Sequence, residues 1–297
     1  MFSKFKTNND LLGIFYMLLC QFSFATNDAF VKMIYLNYDE IFVLNQIIFI
    51  RGIFTLLFII LFLCIKKELD FKIIFSSTEL TMRGALEASA ALFFFIGIAL
   101  LPFAQVYILL SIAPVILTAL GAIFLNEKVR WRRWSAVILG FIGVVVVINP
   151  GKLEFGYYFI FPILAAIMLS IRDMYTKNFK KNYHSLQIAF MTCFVVTIIF
   201  GLLSIYRFYE FTLGDIFILF ISAFFLAVGY IFSVATIKIA LVSVTSTFRY
   251  SVILWGILYG YFLFDEIPLI NSYMGAIIIT ISGLIIISRQ KSLGKIK

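Results

Sequence analysis

The sequence predicts an all-α polytopic membrane protein of ten transmembrane helices, arranged as two inverted five-helix repeats. Three observations carry this. The chain is 63% hydrophobic and 13% charged, with 36 Phe in 297 residues, whereas soluble domains carry about a quarter of charged residues. So much apolar surface cannot be hidden from water in a soluble fold. The length suits about ten helices of roughly 20 residues, the number needed to cross a hydrocarbon core about 30 Å thick. Charged landmarks also recur in the same order in both halves.

Apolar segments are expected at 11–33, 41–65, 80–100, 103–125, 133–149, 156–173, 186–206, 215–237, 240–264 and 270–288. The basic start MFSKFKTNND imitates a signal peptide. The apolar run after it is too long for one and lacks a small-x-small cleavage site, so it is read as a retained first span. With a cytoplasmic N-terminus, seventeen Lys and Arg fall in inside loops against two, Lys152 and Arg207, outside. That bias puts both termini in the cytoplasm. It also accounts for most of the net charge of +9, so nucleic acid is excluded as a partner. Cys20, Cys64 and Cys193 lie in apolar runs without ligand spacing and read as packing residues. No metal, cofactor or disulfide framework is expected, and His184 reads as solvated in an inside loop.

The repeat shows first in ATNDAFVK, residues 25–32, and SIRDMYTK, residues 170–177, each containing Asp-x-x-x-Lys. Asp28 and Lys32 are expected to close the first helix, and Asp173 and Lys177 the sixth. FLNEKVRWRRW follows the fourth helix and FLFDEIPLINSY the ninth; Glu127 and Glu266 are each followed by an aromatic, Trp134 and Tyr273. Gly140 and Gly143 punctuate the fifth helix, Gly275 and Gly283 the tenth. These landmarks divide the chain into repeats 11–149 and 156–288. An odd number of spans inverts the second repeat, which points to a transporter in which each half gates one side.

The stretch LPFAQVYILLSIAPVILTALGAIFLNEKVRWRRWSAVILGFIGVVVVINPG resembles the first-half signature of the drug/metabolite transporter superfamily, EamA type. STFRYSVILWGILYGYFLFDEIP and GIFYMLLCQFSFATNDAFVK are similar to a subgroup that includes the rickettsial S-adenosylmethionine uptake transporter. The resemblance spans nearly the whole chain. It implies ten helices, cytoplasmic termini and carriage of a small metabolite, while the superfamily's substrates range over amino acids, nucleotide derivatives, organic anions and cations. One departure is that the ninth helix lacks a proline where the fourth has Pro114.

Charges inside the bilayer mark the candidate site, because each costs about 2.5–3.5 kcal/mol at a helix centre. Counting from the expected helix ends puts Arg51 and Arg249 near the midplane, Glu87 in the cytoplasmic third and Asp28 in the outer third. Thr245, Ser246, Arg249 and Tyr250 would form a face offering a cation and hydroxyls to a carboxylate. Tyr107, Ser111 and Pro114 form a stripe on the fourth helix, where proline releases a backbone carbonyl. Arg83 and Glu87 stand at helical spacing for mutual neutralisation, and Gln21 is a further polar candidate. Asp28, Lys32, Asp173 and Lys177 are the candidates for gating or coupling, with helix capping and snorkelling as the alternative role. Glu127 and Glu266 read as solvated turn charges. The GILYG motif and Gly84, Ala88 and Ala91 are small-residue faces for static packing, sliding or dimerisation.

These residues give an inner-membrane carrier of a carboxylate-bearing metabolite, S-adenosylmethionine-like or amino-acid-like, working by alternating access. Export of amino acids, other organic anions or drugs is the alternative within the superfamily. A membrane enzyme is disfavoured by the absence of an intramembrane His or a DDxxD motif, and a channel by the absence of charge rings. The expected partners are the small-molecule substrate and the lipid bilayer. A counter-substrate or proton, and a homodimer, stay open.

Overall fold

The structure, a computed structural model, describes residues 8–38, 40–66, 74–124, 131–148, 156–239 and 246–292. The chain is an all-α polytopic membrane protein, with no strand among the described residues. In order the main helices are α1 (Asn8–Tyr38), α2 (Val43–Lys66), α3 (Thr78–Leu100), α4 (Phe103–Leu110), α5 (Ala113–Phe124) and α6 (Trp131–Ile148). There follow α7 (Ile160–Lys177), α8 (Ser185–Ser204), α9 (Leu213–Ile239), α10 (Ser251–Phe264) and α11 (Ile270–Ser292). Among the described residues, six helices are long and apolar enough to cross a membrane, and four shorter apolar stretches lie at Phe103–Leu117, Trp134–Ile148, Phe248–Phe264 and Ile270–Ile285.

Local chemistry explains the breaks. Pro114 lacks an N–H and its ring opposes the carbonyl one turn back, so the fourth segment divides between α4 and α5. At the division the Ser111 N–H is shared between the carbonyls of Tyr107 and Ile108, at 3.1 and 3.2 Å. A 3-10 turn, Ser246–Tyr250, precedes α10. At its other end α10 stops on Asp265, in the left-handed region at φ 51°, and the Glu266 N–H returns to the Gly260 carbonyl at 2.9 Å. The Asp265 N–H meets the same carbonyl, a six-to-one bond, and this closure folds the Glu266 side chain back toward the bundle. The first helix departs from expectation: it runs to Tyr38 rather than ending near 33, so Asp28 and Lys32 lie inside it instead of closing it. At 1.5 Å per residue, Asp28 is about 15 Å from that end.

The packing repeats itself when the two halves are exchanged. α1 lies on α9 and α7 lies on α3; α2 meets α9 and α8 meets α3; α1 meets α10, as α7 meets α4 and α5. The pairs α2–α8, α4–α10 and α6–α11 map onto themselves. Near the start of α3, Glu79 accepts the N–H of Lys180, just beyond α7, at 3.0 Å. Near its end, Gly97 packs on Pro162 at the start of α7, so these helices are antiparallel. Since Leu101 also meets Lys32, α1 ends on the side of the bundle where α7 begins.

The glycines noted in both halves face one another. A Cβ on Gly143 would lie 2.7 Å from Ile279 Cγ1, one on Gly140 2.9 Å from Ser282 Oγ, and one on Gly275 2.8 Å from the Gly143 carbonyl and against Val147. Ser282 Oγ then donates to the Ala136 carbonyl at 2.6 Å. Lipid tails are as apolar as Leu, so close approach of this kind joins membrane helices. Gly283 instead makes room for the Tyr250 phenol. The GILYG face packs within the chain: Gly256 abuts Tyr107 Cβ, and Gly260 abuts Ala104. Gly84 abuts Val195 of α8. Cys20 and Cys193 are buried, while Cys64, expected as a packing residue, is exposed because it falls on the outer apolar face with Leu57 and Leu61. His184 is exposed and caps α8, its N–H donating to Gln187 Oε1 at 3.1 Å.

Gly275→Val should separate α6 from α11 and lower the midpoint of thermal unfolding in detergent, since overpacking costs about 1–3 kcal/mol. Gly214→Ala is the control, because its added methyl meets only Thr212 Oγ1 at 3.6 Å; equal melting of the two variants would contradict this account of the interface.

Candidate functional site

The first group of functional side chains is buried where α1, α2, α4 and α9 meet. Asp28 accepts the Tyr107 hydroxyl at 2.6 Å and Asn27 Nδ2 at 2.7 Å. Arg51 Nη1 stands 3.9 Å from Asp28 Oδ1 and donates to Asn27 Oδ1 at 3.1 Å. Ser222 Oγ donates to the same Asn27 oxygen at 2.8 Å. The Arg51 guanidinium lies 5.0 Å from the centre of the Phe95 ring, a cation–π arrangement strengthened by loss of water. Removing a carboxylate and a guanidinium from water costs several kcal/mol each, which mutual attraction offsets only when further hydrogen bonds satisfy both. Asn27 supplies those bonds, so acid and base share one amide rather than touching directly. Arg51 Nε has no partner among the described residues.

The second group starts one turn along α1. Lys32 Nζ donates to Glu266 Oε1 at 2.5 Å and to the Leu101 carbonyl at 3.1 Å. Glu266 Oε2 accepts the Phe103 N–H at 2.5 Å, which places a carboxylate on the positive end of α4. The rings of Phe103 and Phe264 flank the ammonium at 5.8 and 4.9 Å. Asp28 and Lys32 stand at the spacing of a same-helix ion pair, yet each takes its partner from another element. A same-helix pair contributes only about 0.2–0.5 kcal/mol, against about 1.5–3 kcal/mol for a hydrogen bond to a charged group, so tertiary partners win. Glu266 is likewise corrected from a solvated turn charge to an ion-pair partner.

The third group lies at the opposite end. Arg172 of α7 pairs with Glu87 of α3 through Nη1 and with Asp173 through Nε and Nη2, at 3.0 and 2.6 Å. Arg83 donates to Thr176 Oγ1 at 3.2 Å and to Thr192 Oγ1. The expected Arg83–Glu87 pair is therefore replaced by Arg172–Glu87, because α7 packs directly on α3. The Lys177 side chain lies outside the described residues, so Asp173 is seen with Arg172 alone.

The remaining candidates scatter. Arg249, expected buried near the midplane, is exposed in the 3-10 turn before α10, because the helix begins only at Ser251. Tyr250 is buried against Gly283, and its hydroxyl has no partner among the described residues. Thr245 and the side chain of Ser246 lie outside the described residues, as does Glu127. Ser111 bonds its own helix, at the Tyr107 carbonyl, 2.7 Å away. Among the described residues Gln21 reaches Met17 Sδ at 3.5 Å, and Pro114 acts through the break between α4 and α5. Asn27, Ser222, Arg172 and Thr192 escaped sequence reasoning. Asn27 and Arg172 each precede the aspartate of a repeated motif, which was the available signal. No group of three or more His, Cys, Asp or Glu that could hold a metal ion occurs among the described residues.

Comparison with known proteins places this geometry. The family described as the EamA-like transporter family matches residues 11–149 and 155–289, and the chain belongs to that family. It is 26% identical over 289 residues to an S-adenosylmethionine uptake transporter of Rickettsia conorii, covering 95% of this chain and 94% of that one. A protein of the same description from Rickettsia prowazekii is 28% identical over 199 residues, 66% of each chain. A riboflavin transporter of Brucella anthropi is 26% identical over 217 residues, 71% of this chain and 76% of that one. A solved crystal structure superposes with a TM-score of 0.62 at 14% identity, covering 95% of this chain and 96% of the other, which is a likeness of fold. The protein is thus a multi-pass membrane transporter.

The Asp28–Arg51 arrangement predicts a non-additive mutant cycle. Asp28→Asn leaves a buried guanidinium uncompensated and should cost about 3–5 kcal/mol. Asp28→Asn combined with Arg51→Met should unfold at a higher temperature than Asp28→Asn alone; additive losses would mean that the two charges do not depend on each other.

Proposed function

We propose that this transporter carries a small carboxylate-bearing metabolite across the inner membrane by alternating access, with S-adenosylmethionine or an amino acid as the first candidates. One observation carries the reading: the charged groups at the two ends of the bundle are in different states. At one end Lys32 and Glu266 close α1 against α4 and the chain after α10, with side-chain exposures of 6% and 20%. At the other, Arg172, Glu87 and Asp173 meet, with Asp173 32% exposed. A carrier caught closed on one side and open on the other has this asymmetry.

On this reading the ten spans form two inverted repeats, 11–149 and 156–288, with both termini cytoplasmic. The Lys32–Glu266 pair is then the shut outer gate, and the Arg172 cluster lies at the open inner mouth. Arg249 meets the substrate carboxylate, because an Arg fork takes a carboxylate bidentately and keeps its charge at any physiological pH. Asp28, held by Tyr107 and Asn27 beneath the gate, couples gate to cavity. Opening the outer side requires Lys32 to leave both Glu266 and the Leu101 carbonyl, so the gate has a definite energetic threshold. The relatives described as S-adenosylmethionine uptake transporters support the choice of first substrate, and a counter-substrate or proton would complete the cycle.

Counterflow tests the substrate. Proteoliposomes preloaded with unlabelled S-adenosylmethionine should transiently accumulate the labelled compound, and a flat trace for it and for every amino acid would defeat the proposal. Accessibility tests the gate. With Cys20, Cys64 and Cys193 replaced and a cysteine introduced at Ala104, Glu266→Gln should raise labelling by an impermeant thiol reagent from outside several-fold. Unchanged labelling would reduce the ion pair to a static brace.

A further inference from the structure

The outer flank of the bundle carries a groove of about 110 Å³ between α2 and α9. Its walls come from every third or fourth residue between Phe58 and Ile65 on α2 and between Phe224 and Ile231 on α9, the spacing that collects side chains on one helix face. Phe58 meets Phe220 and Phe224 at ring separations of 5.2 and 5.8 Å. Ile65 and Ile231, each further along its own helix, line the same groove, so α2 and α9 run side by side in one direction. The phenylalanine cluster therefore shuts the end nearer the middle of α2, and the groove opens toward the end of that helix, about 10 Å away at 1.5 Å per residue. Ala227, only 3% exposed, leaves the space between Phe224 and Ile231 that makes the groove. Lys66 is the last residue of α2 and is exposed. Its ammonium lies 5.7 Å from the centre of the Phe62 ring, which is part of the wall.

We infer that this groove is a binding site for an anionic phospholipid, with one acyl chain lying along it and the phosphate against Lys66. The inference does not depend on which solute is carried. Three features choose the occupant. None of the lining residues has a polar side chain, so a polar solute would be buried there without hydrogen-bond partners. The groove is also narrow: its volume suits a slender chain, whereas a helix is about 10–12 Å across with its side chains. Finally, the cation stands at the open end. A lysine at a helix end lays its stem on apolar surface and carries its charge to the membrane interface, where a compact ammonium suits a phosphate. The Phe62 ring beneath it holds that charge at the mouth. Phosphatidylcholine would bring a second cation beside its phosphate, and the repulsion disfavours it. The two walls belong to the two segments matched by the family, 11–149 and 155–289. The groove exists only while α2 and α9 lie together as they do here, so a bound lipid favours this arrangement over any that parts them.

Brominated lipids test the site, because a bromine on an acyl chain quenches a tryptophan that it touches. Full-length protein with Trp131, Trp134 and Trp255 replaced by Phe receives one reporter, Leu61→Trp, on the rim of the groove. A control protein carries Phe141→Trp instead, an exposed position on α6. Each is reconstituted into mixed vesicles in which either the phosphatidylglycerol or the phosphatidylcholine is brominated, and monodisperse elution beforehand establishes that it folds. At position 61 phosphatidylglycerol should bind about five-fold more strongly than phosphatidylcholine, the ratio that one lysine near an anionic membrane surface supplies. At position 141 the two lipids should quench alike. Adding Lys66→Gln should bring the ratio at position 61 close to one. Equal quenching by both lipids at position 61, or a preference that survives Lys66→Gln, overturns the site and leaves only ordinary lipid contact. A reporter at 61 shielded from both lipids, with cross-linking of two copies through this face, overturns it in favour of a dimer interface.

Discussion

Asp28 and Lys32 stand one turn apart on α1, too deep for water to solvate them, and the rest of the bundle is arranged around that constraint. Each ion left unpaired in a low-dielectric interior would cost more than any single packing contact supplies. Asp28 is therefore met by Tyr107 of α4 and, through Asn27, by Arg51 of α2 and Ser222 of α9. Lys32 is met by Glu266 beyond α10. Both pairings draw α1 against helices of both halves, so the charges act as registration marks between the repeats as well as groups to be neutralised.

The two halves treat their first helices alike in geometry and differently in chemistry. The residue before each motif aspartate reaches across to the partner helix: Asn27 is met by Ser222 on α9, and Arg172 by Glu87 on α3. The α1 version is neutral and completely buried, which suits a seal. The α7 version uses a full charge pair and stays partly exposed, which suits a surface that must exchange a ligand with water. The same backbone arrangement thus hosts a closed polar knot at one depth and a wet one at the other.

Composition and periodicity were enough to reveal an all-α membrane bundle and the recurrence of charged and glycine landmarks in its two halves, and the resemblance of particular stretches gave the family, because those depend on local residue type and on repetition. Partner choice was hidden, since Lys32 and Glu266 are 234 positions apart and nothing local tells a buried pair from a solvated turn charge. The end of α1 was misread for the same reason. A charge looks like a helix terminus when it is assessed alone, yet once Glu266 and Tyr107 satisfy Lys32 and Asp28 the helix has no cause to stop before Tyr38. Arg249 went wrong in the other direction. Apolar flanks imply a continuous helix, whereas the 3-10 turn before Ser251 shortens α10 and leaves the guanidinium exposed.

On the proposed reading, gating follows from how the Lys32–Glu266 ion pair is made. Lys32 donates to Leu101, at the end of α3, and to Glu266, which holds the first N–H of α4. Movement of α10 and its closing turn relative to α4 must therefore break a charged contact at a helix terminus and expose two phenylalanine rings at once. Such a joint has no stable halfway state, because a partly separated ion pair loses its attraction before water can replace it. On that reading the interface would be bistable, and a ligand that binds one arrangement better than the other needs only its difference in affinity to choose between them. Substrate held against α7 would then do so, since α7 packs on α4 and α5, the helix pair whose first N–H donates to Glu266. On that reading the break at Pro114 would let α5 follow α7 while α4 stays with the Lys32–Glu266 pair, a freedom for which α10, unbroken from Ser251 to Phe264, has no counterpart.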